Sequence, residues 1–212
     1  MKELSIKQTQ EMLKYIAVHM IEQETLLCEL DGKIGDGDHG IGIARGFQAI
    51  SQEMEKDFSS INELFQQAGF ALMNSMGGAS GIIFSSIFLG GLGNSEQETA
   101  LDLLIVQQYF RNGLERIKQK GGASLGDKTM LDAFEPAILS IEASDKEELD
   151  KVFQQAAQAA QEGVEATKNY VAKFGRAKFL GERSIGHCDA GAMSVALIFR
   201  FAADYLEREA KI

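Results

Sequence analysis

Residues 31–40 read Asp31-Gly-Lys-Ile-Gly35-Asp36-Gly37-Asp38-His39-Gly40, and what precedes them decides the fold. Gly35-x-Gly37-x-x-Gly40 has the spacing of a dinucleotide-binding turn, but that turn needs a β-strand before it and a βαβ setting around it. The stretch from Ile6 to Leu30 reads as a long helix instead, so the match is set aside. Its physical content survives. Glycines let backbone N–H groups approach a phosphate, and the N-terminus of a following helix favours an anion.

Working outward, the chain has one proline, Pro136, and no run of alternating β-branched residues, while Ala, Leu, Glu, Gln and Lys recur with helical periodicity. The expectation is all-α. Capping boxes are readable at Ser5/Gln8, Ser60/Glu63, Ser95/Glu98 and Ser144/Glu147. Between them lie four turns rich in Gly and Asp, at 31–42, 77–81, 121–127 and 175–191. Together these marks predict eight helices, near 6–30, 40–55, 61–76, 80–90, 97–119, 129–142, 146–173 and 190–208, in one domain spanning 1–212. In an antiparallel up-and-down barrel or bundle with short loops, the four glycine-rich connections all emerge at one end. That end is expected to carry the chemistry. Pro136 should kink the sixth helix or mark its first turns.

Composition narrows the function. A chain of 212 residues with 45% hydrophobic content is long enough for one well-buried core. No apolar run approaches the roughly 20 residues of a membrane span, and the N-terminus has no signal core, so a cytoplasmic protein without a membrane partner is expected. Cys28 and Cys188 are too few for a disulfide framework. A net charge of −10 argues against nucleic acid as a partner. Any phosphate bound here needs local compensation, which a divalent cation would supply.

Asp31, Asp36 and Asp38 crowd one loop without enough cations to pair them, and crowded like charges are costly unless a cation sits among them. Oxygen ligands suit magnesium or calcium better than zinc. An EF-hand is excluded, because the twelfth position counted from Asp31 is Gly42 and from Asp36 is Phe47, not the closing Glu. Magnesium with a phosphate ligand fits. The competing reading is that these aspartates merely cap the second helix. Gly77-Gly78-Ala79-Ser80-Gly81 offers a flexible turn with a hydroxyl, or simply a tight helix contact. The stretch Gly121 to Met130 adds the cation Lys128 and an apolar lid in Met130, which is otherwise an ordinary core residue. Gly175 to Gly191 places Arg176, Lys178 and Arg183 in a glycine-shaped loop, and arginine can clamp phosphate through two hydrogen bonds. His187-Cys188-Asp189 resembles a thiol triad on paper, but adjacent side chains rarely converge. His19 reads as packing. Walker A and protein-kinase signatures are absent.

Taken together, IGDGDHG, GGASG, GDKTM, GRAKFLGERSIGH and CDAGAMS, in this order and spacing, resemble the nucleotide-binding L subunit of dihydroxyacetone kinase over nearly the whole chain. The resemblance implies an eight-helix barrel with ADP or ATP at one end and two magnesium ions held by Asp31, Asp36 and Asp38. By motif position it places nucleotide contacts at His39, Gly40, Ile41, Gly42, Ala79, Ser80, Gly121, Met130, Arg176, Asp189, Ala190 and Gly191, and it assigns no catalytic residue. Two positions depart from the family pattern: Gly42 stands where many relatives have Asn, and Ala190 where they usually have Pro. The sugar contacts and the rigidity of the last loop are affected.

The resemblance also implies partners. The substrate ketone is held by a histidine of a separate K subunit, so this chain presents the terminal phosphoryl group while the partner supplies the acceptor hydroxyl. In phosphotransferase-system versions, bound ADP is rephosphorylated in place by a phosphohistidine-carrying M subunit, and a chain of this length leans that way. A homodimer is an open assembly state. The alternatives are an ATP-dependent kinase subunit for another short ketose or aldose, and a nucleotide-binding regulatory protein.

Overall fold

A computed structural model describes residues 1–93, 97–145 and 148–211. It is mostly helical. The first long helix is in fact two, α1 (Ile6–Ile21) and α2 (Glu24–Asp31). The buried stripe of α1 runs through Met12, Leu13, Ile16 and Met20; a straight continuation would turn Gln23 and Glu24 inward, and the break leaves Glu24 exposed while still burying Leu27. Then come α3 (His39–Glu53), α4 (Ile61–Met76) and α5 (Gly78–Ser85), followed by a 3-10 turn at Leu89–Gly91. The remaining α-helices are α6 (Leu103–Gly121), α7 (Leu131–Ala143), α8 (Leu149–Thr167) and α9 (Ala190–Glu209), with a second 3-10 segment at Ala177–Ser184 between the last two.

The capping signals fare unevenly. Ser5 and Gln8 form the full reciprocal box. Ser60 accepts from the Glu63 N–H, but the Glu63 carboxylate turns to the N–H and hydroxyl of Ser59. Ser95 and Glu147 lie outside the described residues, and the helices they were expected to open begin later. Asp102 caps α6 through the Ile105 N–H, and α8 starts after Glu148 with no side-chain cap.

A two-stranded antiparallel ladder supplements the helices: β1 (Glu3–Ser5) pairs with β2 (Ala100–Asp102), and Leu4 faces Leu101 with both buried. Three-residue strands are too short to show a period of two. The ladder ties the N-terminus to the start of α6.

Neighbouring helices pack in sequence: α1 on α3, α3 on α4, α4 on α5, α5 on α6, α6 on α7, α7 on α8 and α8 on α9, with α9 returning against α1. Among their enclosed side chains, Phe110, Phe134, Phe153 and Phe199 meet edge-on or tilted at centroid distances of 5.5 to 6.2 Å. A close backbone approach is at Gly163 of α8, where a Cβ would stand 2.0 Å from the Asp132 carbonyl oxygen. That carbonyl receives no N–H from Pro136, one turn along α7, so α8 can press against it. Among the described residues, no helix is long and apolar enough to cross a membrane.

Candidate functional site

Asp31 ends α2, and the loop behind it folds back over its carboxylate. Asp31 Oδ2 accepts the Gly37 N–H at 2.8 Å, and a Cβ at Gly35 would sit 2.4 Å from Oδ1, so a larger residue there would push the carboxylate aside. Gly37, at φ +78°, makes the turn. Asp36 and Asp38 follow, both exposed, and one carboxylate oxygen from each of the three aspartates lies within 4.8 Å of the others. Asp38 occupies the N-cap position of α3 yet makes no side-chain capping bond. The capping reading of the acidic loop therefore loses its main support, and the carboxylates are left facing one another. Hard oxygen donors at this separation fit a magnesium ion. Arg176 reaches one of them, its Nε 2.7 Å from Asp36 Oδ2.

These carboxylates stand at the rim of a cavity of about 480 Å³ whose wall draws on all four glycine-rich turns. One part is apolar, formed by Ile82, Ile83, Ile117, Ala123, Met130 and Leu131. Another is the first turn of α5, where Gly77 and Gly78 take positive φ with open space around them, followed by Ala79 and Ser80. The unpaired N–H groups of a first helical turn suit an anion.

His39, the first residue of α3, sets its Nε2 2.9 Å from Ser194 Oγ, and that hydroxyl donates to the Ala190 carbonyl at 3.0 Å. The serine proton being used, Nε2 carries the ring proton and donates it. Burial holds the imidazole below its ordinary pKa, against the upward pull of Asp31 and Asp38.

The turn after α6 is fixed by its own carboxylates. Asp127 accepts from the Ser124 N–H at 2.8 Å and pairs with Lys173 at 2.7 Å, which keeps it below the usual carboxylate range. Asp132 accepts from Gly126 and Thr129 at 2.6 and 2.7 Å. Asp189 caps α9 through the Ala192 N–H at 2.7 Å, and burial, with Asp132 and Asp31 adding to it, raises its pKa to about 7. A Cβ at Gly191 would meet Asp189 Oδ2 at 3.0 Å and Met130 Cβ at 3.4 Å, so the last two turns touch there.

Of the residues singled out from the sequence, Asp31, Asp36, Asp38, His39, Ala79, Ser80, Gly121, Met130, Arg176, Asp189, Ala190 and Gly191 line this cavity. Gly40, Ile41 and Gly42 do not. Gly40 faces α2, Ile41 is exposed, and the direction of a Gly42 Cβ meets only Met76 Cε at 3.8 Å. Further lining residues include Lys128, read from the sequence only as the cation of its turn, together with Lys120, Phe174 and the isoleucines at 34, 82, 83 and 117. The isoleucines look like core from periodicity, and only the backbone turns expose them to the cavity.

Residues 33–204 match the model of the DAK2 domain. The chain is 38% identical over 199 residues to the ADP-binding subunit DhaL of a PTS-dependent dihydroxyacetone kinase from Lactococcus lactis, covering 92% of this chain and 95% of that one. It is 35% identical over 183 residues to the ADP-binding subunit DhaL of the PEP-dependent kinase of Escherichia coli, covering 84% and 86%. Among solved structures, the dihydroxyacetone kinase of C. freundii in complex with AMP-PNP and Mg2+ superposes with a TM-score of 0.72 at 30% identity. That match covers 92% of this chain and 33% of the kinase, so this chain spans about a third of its length.

Proposed function

We propose, from the premise that the chain belongs to the DAK2 domain family, that it is the nucleotide-holding phosphoryl-transfer subunit of a phosphotransferase-system-dependent dihydroxyacetone kinase. The carrying observation is that three carboxylates within 4.8 Å of one another stand on the rim of a cavity with an apolar wall and a helix N-terminus. Such a cavity is suited to a base at one end and a metal-bound polyphosphate at the other. The 38% identity to the L. lactis ADP-binding subunit, against 30% to the C. freundii kinase, supports ADP as a resident cofactor over the ATP-exchanging alternative.

In this reading the helices form an eight-membered antiparallel barrel in a single domain, counting α1 with α2 as one broken rod, with the nucleotide at one end. Asp31, Asp36 and Asp38 hold the magnesium, two ions as the family resemblance implies. Magnesium held there would neutralise charge on the phosphate oxygens. Ser80 and the first turn of α5 face the phosphates, and Arg176 leaves Asp36 to clamp a phosphate oxygen. Met130 and the isoleucines at 82, 83 and 117 enclose the base. His39, Ala79, Gly121 and residues 189–191 complete the wall, and Gly40, Ile41 and Gly42 contribute as the α3 N-terminus rather than as cavity lining. The work of the chain is positioning and electrostatics. The acceptor hydroxyl comes from a separate K subunit, the phosphoryl group from a phosphohistidine-carrying M subunit, and the site of action is the cytoplasm. A homodimer is compatible with this scheme.

The test is to purify the chain without added nucleotide, dialyse it against magnesium or a chelator, denature it, and identify the released ligand by chromatography. ADP that leaves only with the chelator is the expected result. Ready exchange of added ATP would favour the ATP-dependent alternative, and failure to bind any adenine nucleotide would remove the proposal.

A further inference from the structure

Among the described residues, Lys128 is the only non-glycine with positive φ, at +61°, and it is 2% exposed. A left-handed conformation is sterically costly for an L-residue, and a buried ammonium is costly to desolvate. Both occur at one position in the wall of the cavity, and such strain persists only where its surroundings enforce it. The surroundings are specific. Lys128 Nζ donates to the Thr167 carbonyl at 2.6 Å and to the His187 carbonyl. Thr167 is the last residue of α8, where the negative end of the helix dipole favours a cation, and its carbonyl accepts the Tyr170 N–H at 3.2 Å besides the ammonium. The Thr167 hydroxyl in turn accepts the Asp189 N–H at 3.0 Å while donating to Val164 at 2.6 Å. One side chain thus reaches from the turn after α6 to the end of α8 and to the segment entering α9. Asp189 and Asp132 lie close enough to pull its pKa up against the lowering effect of burial.

We propose that Lys128 is a positioning residue: by clamping the Thr167 and His187 carbonyls it fixes the junction between α8 and α9, so that residues 189–191 keep their place in the wall of the cavity. The consequence for nucleotide affinity rests on the function proposed above; the consequence for local order does not.

The test uses the full chain and Lys128→Met, which keeps the stem and removes the donors. Residue-resolved amide hydrogen exchange is measured without ligand, and magnesium ADP is titrated separately. In the variant, the Asp189 and Ala192 amides should exchange faster by roughly tenfold or more while α3, α4 and α6 keep their protection. Magnesium ADP should bind at least about tenfold more weakly. Lys128→Arg, which keeps the charge and the donors, should recover both. If Lys128→Met does not fold, Thr167→Val removes the hydroxyl acceptor and should loosen the Asp189 amide alone. Unchanged exchange at Asp189 and Ala192, equal acceleration in every helix, unchanged affinity in a locally loosened variant, or Lys128→Arg behaving as Lys128→Met would each overturn the proposal. If the unaltered chain bound no magnesium ADP, the functional reading would fall while the exchange measurement still decided the clamp.

Discussion

Replacing Gly40 by alanine strikes the packing that holds the acidic loop. Gly40 is the second residue of α3, and a Cβ built there stands 2.1 Å from the Glu24 carbonyl oxygen, 2.7 Å from Cys28 Sγ and 2.8 Å from the Cys28 nitrogen. Two of these are backbone atoms of α2, so no change of rotamer relieves them. A carbon–oxygen contact needs about 3.3 Å, so α2 and α3 must part by roughly 1 Å. Overpacking of this kind costs about 1–3 kcal/mol, and the gain of alanine over glycine in a helix, up to about 1 kcal/mol, does not offset a backbone clash at the upper end of that range. A net loss of about 2 kcal/mol lowers the melting temperature of a chain this size by roughly 4–8 °C. The movement also shifts Asp31, at the C-terminus of α2, relative to Asp36 and Asp38. Magnesium requires ligand distances near 2.0–2.1 Å, so roughly 1 Å of displacement should also erase most of the stabilisation by magnesium ADP. Gly42→Ala is the control, because its Cβ would meet only Met76 Cε at 3.8 Å. In metal-free melts followed by far-UV circular dichroism, it should be neutral or slightly stabilising. Equal melting temperatures for the two variants would refute the packing argument.

Asp36→Ala should release ADP in the presence of magnesium while leaving the metal-free melt within about 1 kcal/mol of the parent, because Asp36 is exposed in a loop; equal nucleotide retention would count against its role as a ligand. Arg176→Ala removes an exposed partner of Asp36, so helical content should be unchanged, whereas phosphoryl transfer with a K subunit should slow by about tenfold to a hundredfold through loss of a charge-assisted hydrogen bond. An unaltered transfer rate would exclude a phosphate contact. Asp189→Asn keeps a capping acceptor for the Ala192 N–H but cannot titrate. The native Asp189 carboxyl titrates at about 7 against an ordinary value of 3.8, so within that window the folded chain holds a proton that the unfolded chain has released. Its stabilising contribution is complete below the unfolded value and lost as pH rises through the folded one. Metal-free stability of the parent relative to Asp189→Asn should therefore fall with rising pH across this window and level off above it; a flat difference would mean that the buried carboxyl is not perturbed.

What the sequence made legible was local. The α4 boundaries at Ile61 and Met76 are those read from the Ser60 cap and the following glycines, because cap, apolar stripe and turn all lie within one stretch. The start of α6 was misplaced because Ser95-x-x-Glu98 outweighed Asp102, itself a good N-cap residue, and because the strand pairing of residues 100–102 depends on Glu3–Ser5, almost a hundred positions earlier. The acidic loop was legible as a cluster of charges, since Asp31, Asp36 and Asp38 fall in one short glycine-rich turn. Glycine roles were not. Gly35, Gly40 and Gly42 look alike in a motif, yet one makes room for a carboxylate, one for a helix backbone and one for little at all. Lys128 was visible as a cation in a turn, but its left-handed backbone and its partners at positions 167 and 187 exist only once α8 and α9 have folded.

The charges around the cavity carry a last consequence. Four carboxylates face or line it, from Asp31, Asp36, Asp38 and Asp189. Of the cations among the lining residues two are committed, Lys128 to two carbonyls and Arg176 to Asp36, while Lys120 stands on the exposed flank of α6. A polyphosphate entering this space alone would add charge of the same sign to a site where carboxylates outnumber uncommitted cations, with a helix N-terminus and Lys120 to receive it. In the function proposed above, metal and nucleotide would therefore bind as a unit, each supplying what the other lacks, and Arg176 would leave Asp36 when the metal takes its place. Removing magnesium should then expel the nucleotide rather than merely weaken it.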